Sequence, residues 1–283
     1  MFPDSAPRPP GPLADPPAGP SALGLVTIGQ APRTDLRPDA EPLLPGVRLV
    51  EHGALDDDRF DGASAEATRR LLAPEPGEAP LVSRLRDGGS VVLGHAALVP
   101  RMEEAVARAE RDGAAATLVL CTGHFPALRS TRPLLFAEPL VQRAVAAIVG
   151  TDPVGILCPH PDQAEDVVRR FSEVLPGRIQ AAGANPYAPR ERALHEVAEA
   201  AATLADRGSA WLLLDCIGYT EEMRRAAARA ADRPVLLARA LAVRMAGEVV
   251  AAFGRPESLP EAGLRAGPVG KPEERTEERT EPS

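Results

Sequence analysis

Short apolar segments alternate with longer amphipathic segments along most of the chain, and this alternation constrains the fold more than any other feature. The segment ALGLVTIG, which ends at Gly29, is almost continuously apolar, as expected of a parallel strand buried on both faces. TLVLC and LLLDC have the same character. Amphipathic segments of about 10–15 residues lie between such strands, for example VPRMEEAVARAERDG, which closes at Gly113. The pattern therefore predicts β-α-β units and parallel sheets.

The order of strands and helices starts again near Asp152, where PVGILCP repeats the first pattern. We therefore predict an α/β fold with two pseudo-symmetric Rossmann-like lobes, in which parallel sheets are flanked by helices and the active-site cleft lies between the lobes. The first lobe is expected to cover residues 22–140, with GSVVLG as its third strand, and the second residues 141–238. We expect a closing helix over about residues 239–254 to pack back on the first lobe.

Both ends of the chain are rich in proline and poor in residues that form a core. Residues 1–21 are therefore predicted to be a disordered Pro-rich leader, and residues 255–283 a disordered charged tail, because neither segment buries enough apolar surface to offset its ordering entropy. The leader has neither the basic region nor the apolar region of a signal peptide.

The overall composition argues against several classes of protein. The net charge is -8 and aromatic residues make up 3% of the chain, so the basic surface and stacking side chains of nucleic-acid binders are lacking. No apolar run reaches the ~20 residues that a membrane span needs. We therefore predict a cytoplasmic protein without nucleic-acid or membrane partners, whose three cysteines are free thiols. A homodimer is compatible with the sequence.

Two cysteines occupy matching places at strand ends, and ligands of open α/β proteins bind beyond the carboxyl ends of strands. Cys121 ends TLVLC and Cys216 ends LLLDC, and a glycine follows each of them two residues later, Gly123 and Gly218. If the lobes face each other, the two thiols lie on opposite sides of one cleft. One thiolate can then remove a proton from a carbon atom beside a carboxylate, while the opposite thiol donates a proton to the other face.

The helix that follows Cys216 is expected to lower the pKa of this thiol. Thr220 is a suitable N-cap for a helix that begins at Glu221, and a helix N-terminus stabilises nearby negative charge. Glu221 and Glu222 oppose that effect, since they carry negative charge themselves. Alternatively, each cysteine serves only as a small apolar residue of the core, and we favour this role for Cys158.

Other roles for the cysteines and carboxylates are less favoured. A disulfide between Cys121 and Cys216 is disfavoured in a reducing compartment. A zinc site would use four residues whose spacing differs from that of zinc ribbons and fingers, Cys121, His124, Cys158 and His160. Residues 56–58 are three aspartates without an EF-hand or Walker pattern, so a solvated loop is favoured over a Mg²⁺ site. We therefore predict no metal and no cofactor.

The segment TIGQAPRTD follows the first strand and is the second candidate for ligand binding. Gly29 allows a tight turn, and Gln30 and Arg33 offer donors to an anion. Arg33 can bind a carboxylate through two parallel hydrogen bonds. The alternative is that Arg33 pairs with Asp35 or with solvent. The segment is neither a dinucleotide fingerprint nor a P-loop, so no dinucleotide or ATP is expected.

The segments LVTIGQAPRTDL, EHGALD, LCTGHFP and LLLDCIGYTEEMR together closely resemble the AroM family, and the resemblance covers about residues 23–252. This family is similar to the aspartate/glutamate racemase superfamily, which contains amino-acid racemases, hydantoin racemase, maleate isomerase and arylmalonate decarboxylase. The resemblance implies a site between two lobes with one cysteine from each, here Cys121 and Cys216. It also implies that Thr122 and Thr220 hold the substrate carboxylate.

Both cysteine motifs depart from the usual racemase patterns. The chain has CTG where CNT is usual, and DCIGYT where GCTH is usual. A one-thiol isomerase or decarboxylase therefore remains open beside two-base racemisation.

Taken together, the residues and the resemblance predict an AroM-like, cofactor-independent racemase, isomerase or decarboxylase that acts next to a carboxylate. Cys216 is expected to be the main acid, base or nucleophile, with Cys121 as its partner. The residues expected to contact the substrate or shape its pocket are Gln30, Arg33, Thr122, Gly123, His124, Gly218, Tyr219 and Thr220. The alternative is a non-catalytic sensor or binder of a small carboxylate, such as a shikimate-pathway metabolite.

Overall fold

The computed structural model describes residues 21–62, 65–76, 78 and 80–253. The predicted disordered tail lies outside the described residues, and so does the predicted leader except for its last residue. Among the helices within these ranges, none combines the length and the apolar character that a membrane span requires.

The first lobe is built on a parallel sheet of four strands. In sheet order these strands are β2 (Arg48–Gly53), β1 (Ala22–Thr27), β5 (Ala114–Val119) and β6 (Leu134–Phe136). Every residue of β1 and β5 is buried, as in a sheet that is covered on both faces. The helices of this part of the chain are α1 (Arg37–Ala40), α2 (Ala65–Leu72), α3 (His95–Arg111) and α4 (Ala137–Val149).

The second lobe repeats this arrangement. Its parallel strands, in sheet order, are β8 (Ile179–Gly183), β7 (Val154–Cys158), β9 (Trp211–Leu214) and β10 (Val235–Leu237). Its helices are α5 (Ala164–Ser172), α6 (Arg190–Asp206), α7 (Glu221–Ala231) and α8 (Ala238–Phe253). In both sheets the lobe's first strand lies between its second and third, and its fourth strand forms the edge. The predicted α/β fold with parallel sheets flanked by helices is therefore confirmed.

The segment GSVVLG forms a strand, but not as a member of the first lobe's sheet. β4 (Ser90–Leu93) pairs with β3 (Leu81–Arg84) in a separate antiparallel hairpin. Buried and exposed residues alternate along β4, whereas the strands of the parallel sheet centre are buried throughout. This alternation is typical of an antiparallel strand with one covered face. The expectation that GSVVLG is the third strand of the first lobe's parallel sheet was therefore wrong.

Helices α4 and α8 pack against each other between the two sheets. One cluster of buried residues contains Leu118 of β5, Val145 of α4, Ile156 of β7 and Val243 of α8. Although α8 follows the last strand of the second lobe, it contacts β1 and β5 of the first. This cluster of buried residues is therefore shared by the two lobes, and it fixes how their sheets face each other.

Arg239, in the first turn of α8, is fully buried and connects the two lobes. Its guanidinium donates to Asp39 Oδ2 at 2.8 Å and to the main-chain oxygen of Asp35 at 2.8 Å, both in the first lobe. It also donates to the main-chain oxygen of Ile217, in the loop after β9, at 2.9 Å. A buried charge is tolerated only when it is paired and hydrogen-bonded, and Arg239 meets both conditions.

Replacing Arg239 by Met is expected to lower the free energy of unfolding by about 3–5 kcal/mol, because Asp35 and Asp39 lose a buried cationic partner. Urea unfolding followed by circular dichroism measures this loss. Arg244→Met, at an exposed position of the same helix, is the matched control and should change stability by less than about 0.5 kcal/mol. Equal effects of the two substitutions would contradict the connecting role of Arg239.

Candidate active site

A cleft of about 680 Å³ lies where the carboxyl ends of the two sheets meet. Residues that follow β1, β5, β7 and β9 line it, among them Arg33 and Cys216. The β3–β4 hairpin adds an apolar wall through Leu81, Val82 and Val92. The cleft is therefore in the position where open α/β sheets bind ligands, and its volume suits a small organic molecule.

Cys121 and Cys216 line this cleft from opposite lobes. Each lies two residues beyond the third strand of its own lobe, Cys121 after β5 and Cys216 after β9. The main-chain N–H of Gly123 donates to Cys121 Sγ at 3.4 Å, and that of Gly218 donates to Cys216 Sγ at 3.2 Å. The two thiols thus occupy pseudo-equivalent positions and receive the same main-chain hydrogen bond.

Burial raises the pKa of both thiols. The pKa of Cys121 rises to about 12, because desolvation disfavours its thiolate more strongly than the Gly123 N–H and Arg170 favour it. The pKa of Cys216 is raised for the same main reason, and the N–H of Gly218 and the hydroxyl of Tyr187 oppose the rise. Both groups are therefore protonated thiols near neutral pH.

The expectation that helix α7 lowers the pKa of Cys216 was wrong, and the contacts at its N-terminus explain why. Thr220 does cap the helix, since its Oγ1 accepts the N–H of Met223 at 3.2 Å. The N–H of Glu221 donates to Asp39 Oδ2, a carboxylate of the first lobe, at 3.0 Å. These N–H groups at the start of the helix are thus bound by oxygen atoms rather than directed at the thiol.

Tyr187, in the loop after β8, contacts Cys216 directly, with 3.7 Å between its Oη and the Sγ atom. Gly218 makes this approach possible, because an added Cβ would lie 2.7 Å from the Cζ and Oη atoms of Tyr187. A phenol that donates a hydrogen bond to a thiolate lowers the pKa of the thiol. Tyr187 is therefore the side chain that most directly favours a charged Cys216.

Arg33 reaches the cleft although it is only 4% exposed. Its Nε and Nη2 atoms donate to the two carboxylate oxygens of Asp35 at 2.8 and 2.7 Å, and Nη1 lies 3.4 Å from Thr27 Oγ1. Burial alone would lower the pKa of Arg33, but the hydrogen bond to Asp35 raises it, so the guanidinium stays charged. Among the described residues, these hydrogen bonds leave one N–H on Nη1 and one on Nη2 that can bind a ligand carboxylate.

Arg170, on α5 of the second lobe, is a second oriented guanidinium on the cleft wall. Its Nη1 donates to Glu138 Oε1 at 3.0 Å and to the main-chain oxygen of Thr122 at 3.1 Å, both in the first lobe. Arg170 favours the thiolate of Cys121, and Arg33 favours that of Cys216. Each thiol therefore has a guanidinium from the opposite lobe beside it.

Asp215 precedes Cys216 and is a buried carboxyl group on the cleft wall, 3% exposed. Its Oδ2 lies 3.7 Å from Arg170 Nη2. Burial raises the pKa of Asp215 to about 7, Glu138 adds to the rise, and Arg170 opposes it. This carboxyl group therefore gains and loses its proton near neutral pH.

The three residues that follow Cys121 also line the cleft. Thr122 Oγ1 donates to the main-chain oxygen of Asp215 at 3.3 Å, so its hydroxyl connects the lobes. Gly123 supports the thiol through its N–H. The side chain of His124 is 79% exposed and its Nδ1 lies 3.2 Å from Glu138 Oε2, which puts the imidazole at the mouth of the cleft.

Four of the residues predicted to contact the substrate do not belong to the described lining of the cleft, namely Gln30, Gly218, Tyr219 and Thr220. Gln30 Nε2 donates to the main-chain oxygen of Leu55 at 3.2 Å and so joins two loops. Tyr219 is fully buried and its Oη donates to the main-chain oxygen of Ala184 at 2.6 Å. Gly218 and Thr220 shape the backbone around Cys216. All four support the loops of the cleft rather than its surface.

Within the described ranges, no group of three or more His, Cys, Asp or Glu side chains is arranged to hold a metal ion. Cys158 donates instead to the main-chain oxygens of His160 and Ala182, at 3.3 and 3.5 Å. In the aspartate run, Asp56 accepts the N–H groups of Ala31 and Gly53 at 2.7 Å each. Asp56 and Cys158 therefore hold loops together.

Three side chains of the site were not singled out from the sequence, Tyr187, Arg170 and Asp215. Tyr187 and Asp215 lie in segments that follow strands, GANPYAP and LLLDC. Their place at the carboxyl ends of strands could have identified them as candidates for the lining of the cleft. Arg170 lies inside an amphipathic helix next to Arg169, and nothing local distinguishes it from a solvated residue.

The fold and the cleft define a two-lobed α/β protein in which each lobe contributes one thiol to the lining of a shared cleft. The profile of a family described as "AroM protein" matches residues 23–250. The chain belongs to the AroM family. A comparison with curated proteins gave no match.

The fold is similar to solved structures of Asp/Glu racemase-like proteins. Arylmalonate decarboxylase aligns with a TM-score of 0.54 at 14% identity, over 83% of this chain and 96% of that chain. Allantoin racemase from Klebsiella pneumoniae gives 0.53 at 13% identity, over 82% and 88%. A glutamate racemase isoform from Bacillus anthracis gives 0.52 at 11% identity, over 83% of each. At these identities the likeness shows the fold alone, and it is the fold that the resemblance implied.

Tyr187→Phe is expected to slow the alkylation of Cys216 by iodoacetamide roughly tenfold, because the thiolate loses a hydrogen bond worth about 1.5 kcal/mol. Peptide mass spectrometry of samples quenched over time, between pH 8 and 10, measures the rate at each cysteine. Tyr219→Phe is the matched control, since the Tyr219 hydroxyl is bonded to Ala184. It should lower thermal stability and leave the rate at Cys216 unchanged. An unchanged rate in Tyr187→Phe would show that the phenol does not support the thiolate.

Proposed function

We propose that this protein is a cofactor-independent racemase, isomerase or decarboxylase that acts on a carbon atom beside a carboxylate. The observation that carries the proposal is the position of Cys121 and Cys216, which line one cleft from opposite lobes at pseudo-equivalent strand ends. The similarity in fold to arylmalonate decarboxylase and to two racemases supports the same class of reaction.

Arg33 is the residue proposed to bind the substrate carboxylate. It is charged, buried and fixed by Asp35, so little side-chain freedom is lost when a ligand binds. When the neighbouring carbon loses a proton or CO₂, it forms an enediolate together with the carboxylate. A guanidinium beside the carboxylate stabilises the negative charge that develops on the carboxylate oxygen atoms. Arg33 therefore contributes to binding and to the stabilisation of the transition state.

The thiols are proposed to move protons on the two faces of that carbon. In racemisation or isomerisation, one thiolate takes the proton, the C–H electron pair enters the enediolate, and the opposite thiol donates its proton to the other face. In decarboxylation, the C–C bond to the departing CO₂ breaks instead, and one thiol protonates the resulting enediolate. Water then restores the proton of that thiolate, so each cycle balances.

The raised pKa of both thiols affects the three reactions differently. A neutral thiol is ready to donate a proton, whereas proton removal requires a thiolate that is a minor species near neutral pH. A thiolate of raised pKa is also a stronger base once it forms. Among the three reactions, decarboxylation needs only the donor form, and the electrostatics of the cleft favour it.

A second candidate function is a non-catalytic binder that senses a small carboxylate in the same cleft. The raised pKa of Cys121 and Cys216 also fits this function, because a binder needs no thiolate. The two functions differ in whether the thiols are needed for turnover or only line the cleft.

Exchange of carbon-bound hydrogen for solvent deuterium, followed by proton NMR, tests for turnover. The substrates are a panel of arylmalonates, alkylmalonates, α-amino acids and α-hydroxy acids, each incubated with the protein in D₂O. At least one acid is expected to gain deuterium beside its carboxylate. Cys216→Ala should reduce this rate by about 10²-fold or more, the usual contribution of a positioned acid or base.

Cys158→Ala is the matched control, because Cys158 lies in the same cleft wall but is bonded to main-chain oxygens. It should retain the wild-type rate. Cys121→Ala should abolish exchange of one enantiomer in a two-base racemase and leave a one-thiol decarboxylase active. If Cys216→Ala turned over as fast as the wild type, the proposed chemistry would be excluded. Binding of an acid without exchange would favour the sensor.

A further inference from the structure

The hairpin of β3 and β4 presents an apolar face to the cleft. Val82 and Val92 are paired directly across the two strands, so their side chains lie on the same face, and both line the cleft. Val91 and Leu93, on the other face of β4, are buried in a cluster of first-lobe residues. The hairpin therefore packs on the core through one face and leaves the other to the cleft.

Val92 is half-exposed although it is apolar, with an exposed fraction of 50%. Within the described ranges, the other large apolar side chains that are exposed are Leu71 and Ile148, and neither lines the cleft. Apolar surface inside a ligand cleft contributes to affinity when an apolar group of the ligand removes it from water. Val92 is thus available to a ligand in the cleft.

Hydrogen bonds fix the hairpin to the loop that carries Arg33. In the turn of the hairpin, the main-chain N–H of Arg86 donates to Gln30 Oε1 at 3.0 Å. The Nε atom of Arg86 donates to the main-chain oxygen of Ala31 at 2.8 Å. The apolar face therefore keeps a fixed place relative to the guanidinium that is proposed to bind the carboxylate.

The first strand of the hairpin also packs against the loop that carries Cys121. A Cβ added at Gly123 would lie 2.6 Å from Leu81 Cδ2 and 3.4 Å from Cys121 Sγ. The absence of a side chain at Gly123 thus lets Leu81, the neighbour of Val82, approach the loop of the thiol. The hairpin is therefore fixed to the first-lobe residues on which the proposed chemistry depends.

The wall that helix α5 contributes has the opposite character. Asp166, Arg169 and Arg170 line the cleft from this helix, and all three carry charge. An apolar group placed against them would remove charged side chains from water without a compensating hydrogen bond. The cleft therefore favours an apolar group of the ligand on the side of the hairpin.

We propose that Val82 and Val92 bind an apolar substituent on the reacting carbon of the substrate. The proposal rests on the proposed function, because it places the substrate carboxylate at Arg33. It deepens that function by naming the substrate class: acids that carry a branched alkyl group or an aromatic ring on the carbon beside the carboxylate. The two valines determine specificity and move no proton.

Isothermal calorimetry with a matched series of acids tests this preference. Lactate, 2-hydroxyisovalerate and mandelate share a carboxylate and a hydroxyl group, and their substituents are methyl, isopropyl and phenyl. Affinity for the wild-type protein should increase in this order. Mandelate should bind about tenfold more tightly than lactate or better, because a phenyl ring removes more apolar surface from water than a methyl group does.

Val92→Thr replaces one methyl group by a hydroxyl and keeps the branched shape of the side chain. It should weaken mandelate binding about threefold to fivefold and leave lactate binding within about twofold. When Val82→Thr is added, the preference for mandelate over lactate should fall below about threefold. Ile148→Thr is the matched control, because Ile148 is exposed on α4 outside the described lining of the cleft, and it should retain the wild-type preference.

Thermal unfolding separates a binding role of Val92 from a structural one. Because Val92 is half-exposed, Val92→Thr should keep the Tm of the ligand-free protein within about 2 °C of the wild-type value. A ligand that binds the folded state raises the Tm in proportion to its affinity. The same concentration of mandelate should therefore raise the Tm of the wild type more than that of Val92→Thr.

The outcomes separate this inference from the proposed function. A preference for mandelate that shrinks in the valine variants supports the inference even when no acid exchanges deuterium, and in that case only the proposed turnover fails. Equal affinities of the wild type for lactate and mandelate would overturn the inference, and so would an unchanged preference in the double variant. The proposed function would survive either result if an acid still exchanged deuterium in a Cys216-dependent manner. Failure of all three acids to bind would also overturn the inference.

Discussion

The buried guanidinium of Arg239 joins the loop that carries Arg33 to the loop that carries Cys216. It bonds to Asp35, which holds Arg33 in place, and to the main-chain oxygen of Ile217, which follows the thiol. Arg170 makes a comparable connection across the cleft through Glu138 and Thr122. Arg239 is the second residue of the helix after the last strand of the second lobe, and Glu138 is the second residue of the helix after the last strand of the first. The two charged connections thus follow the pseudo-symmetry of the lobes, and both fix residues that line the cleft.

The sequence predicted those parts of the fold and the site that depend on local patterns. Apolar strands followed by glycine-terminated helices predicted the two sheets, and strand-end positions identified Cys121 and Cys216, which both line the cleft. The hairpin and the buried arginines depend on contacts between distant segments. Arg239 contacts residues about 200 positions away, and no local pattern distinguishes it from the exposed Arg244 on the same helix. The sequence identified the segment that contains Tyr219 and Thr220, but it did not predict the direction of their side chains. A turn that begins at Cys216 directs both side chains away from the cleft.

Desolvation and hydrogen bonding act in opposite directions on the thiols, and desolvation is the larger effect in both. Cys216 gains an N–H from Gly218 and a hydroxyl from Tyr187, yet its pKa is still raised. At the start of helix α7, the N–H groups of Met223 and Glu221 donate to Thr220 and Asp39 rather than to the thiol. The cleft is consequently built around neutral thiols, with fixed guanidinium groups available for an anion. This arrangement suits proton donation to a carbon that has gained charge beside a carboxylate.

The proposed chemistry requires that one ligand lies between the two thiols. Differential alkylation with isotope-coded iodoacetamide at pH 9, with and without saturating mandelate, tests it directly, because both thiols are measured in one sample by mass spectrometry. We expect mandelate to slow alkylation of Cys121 and Cys216 to the same extent and at the same ligand concentration. Protection of one thiol without the other, or of neither, would contradict a shared site between the lobes.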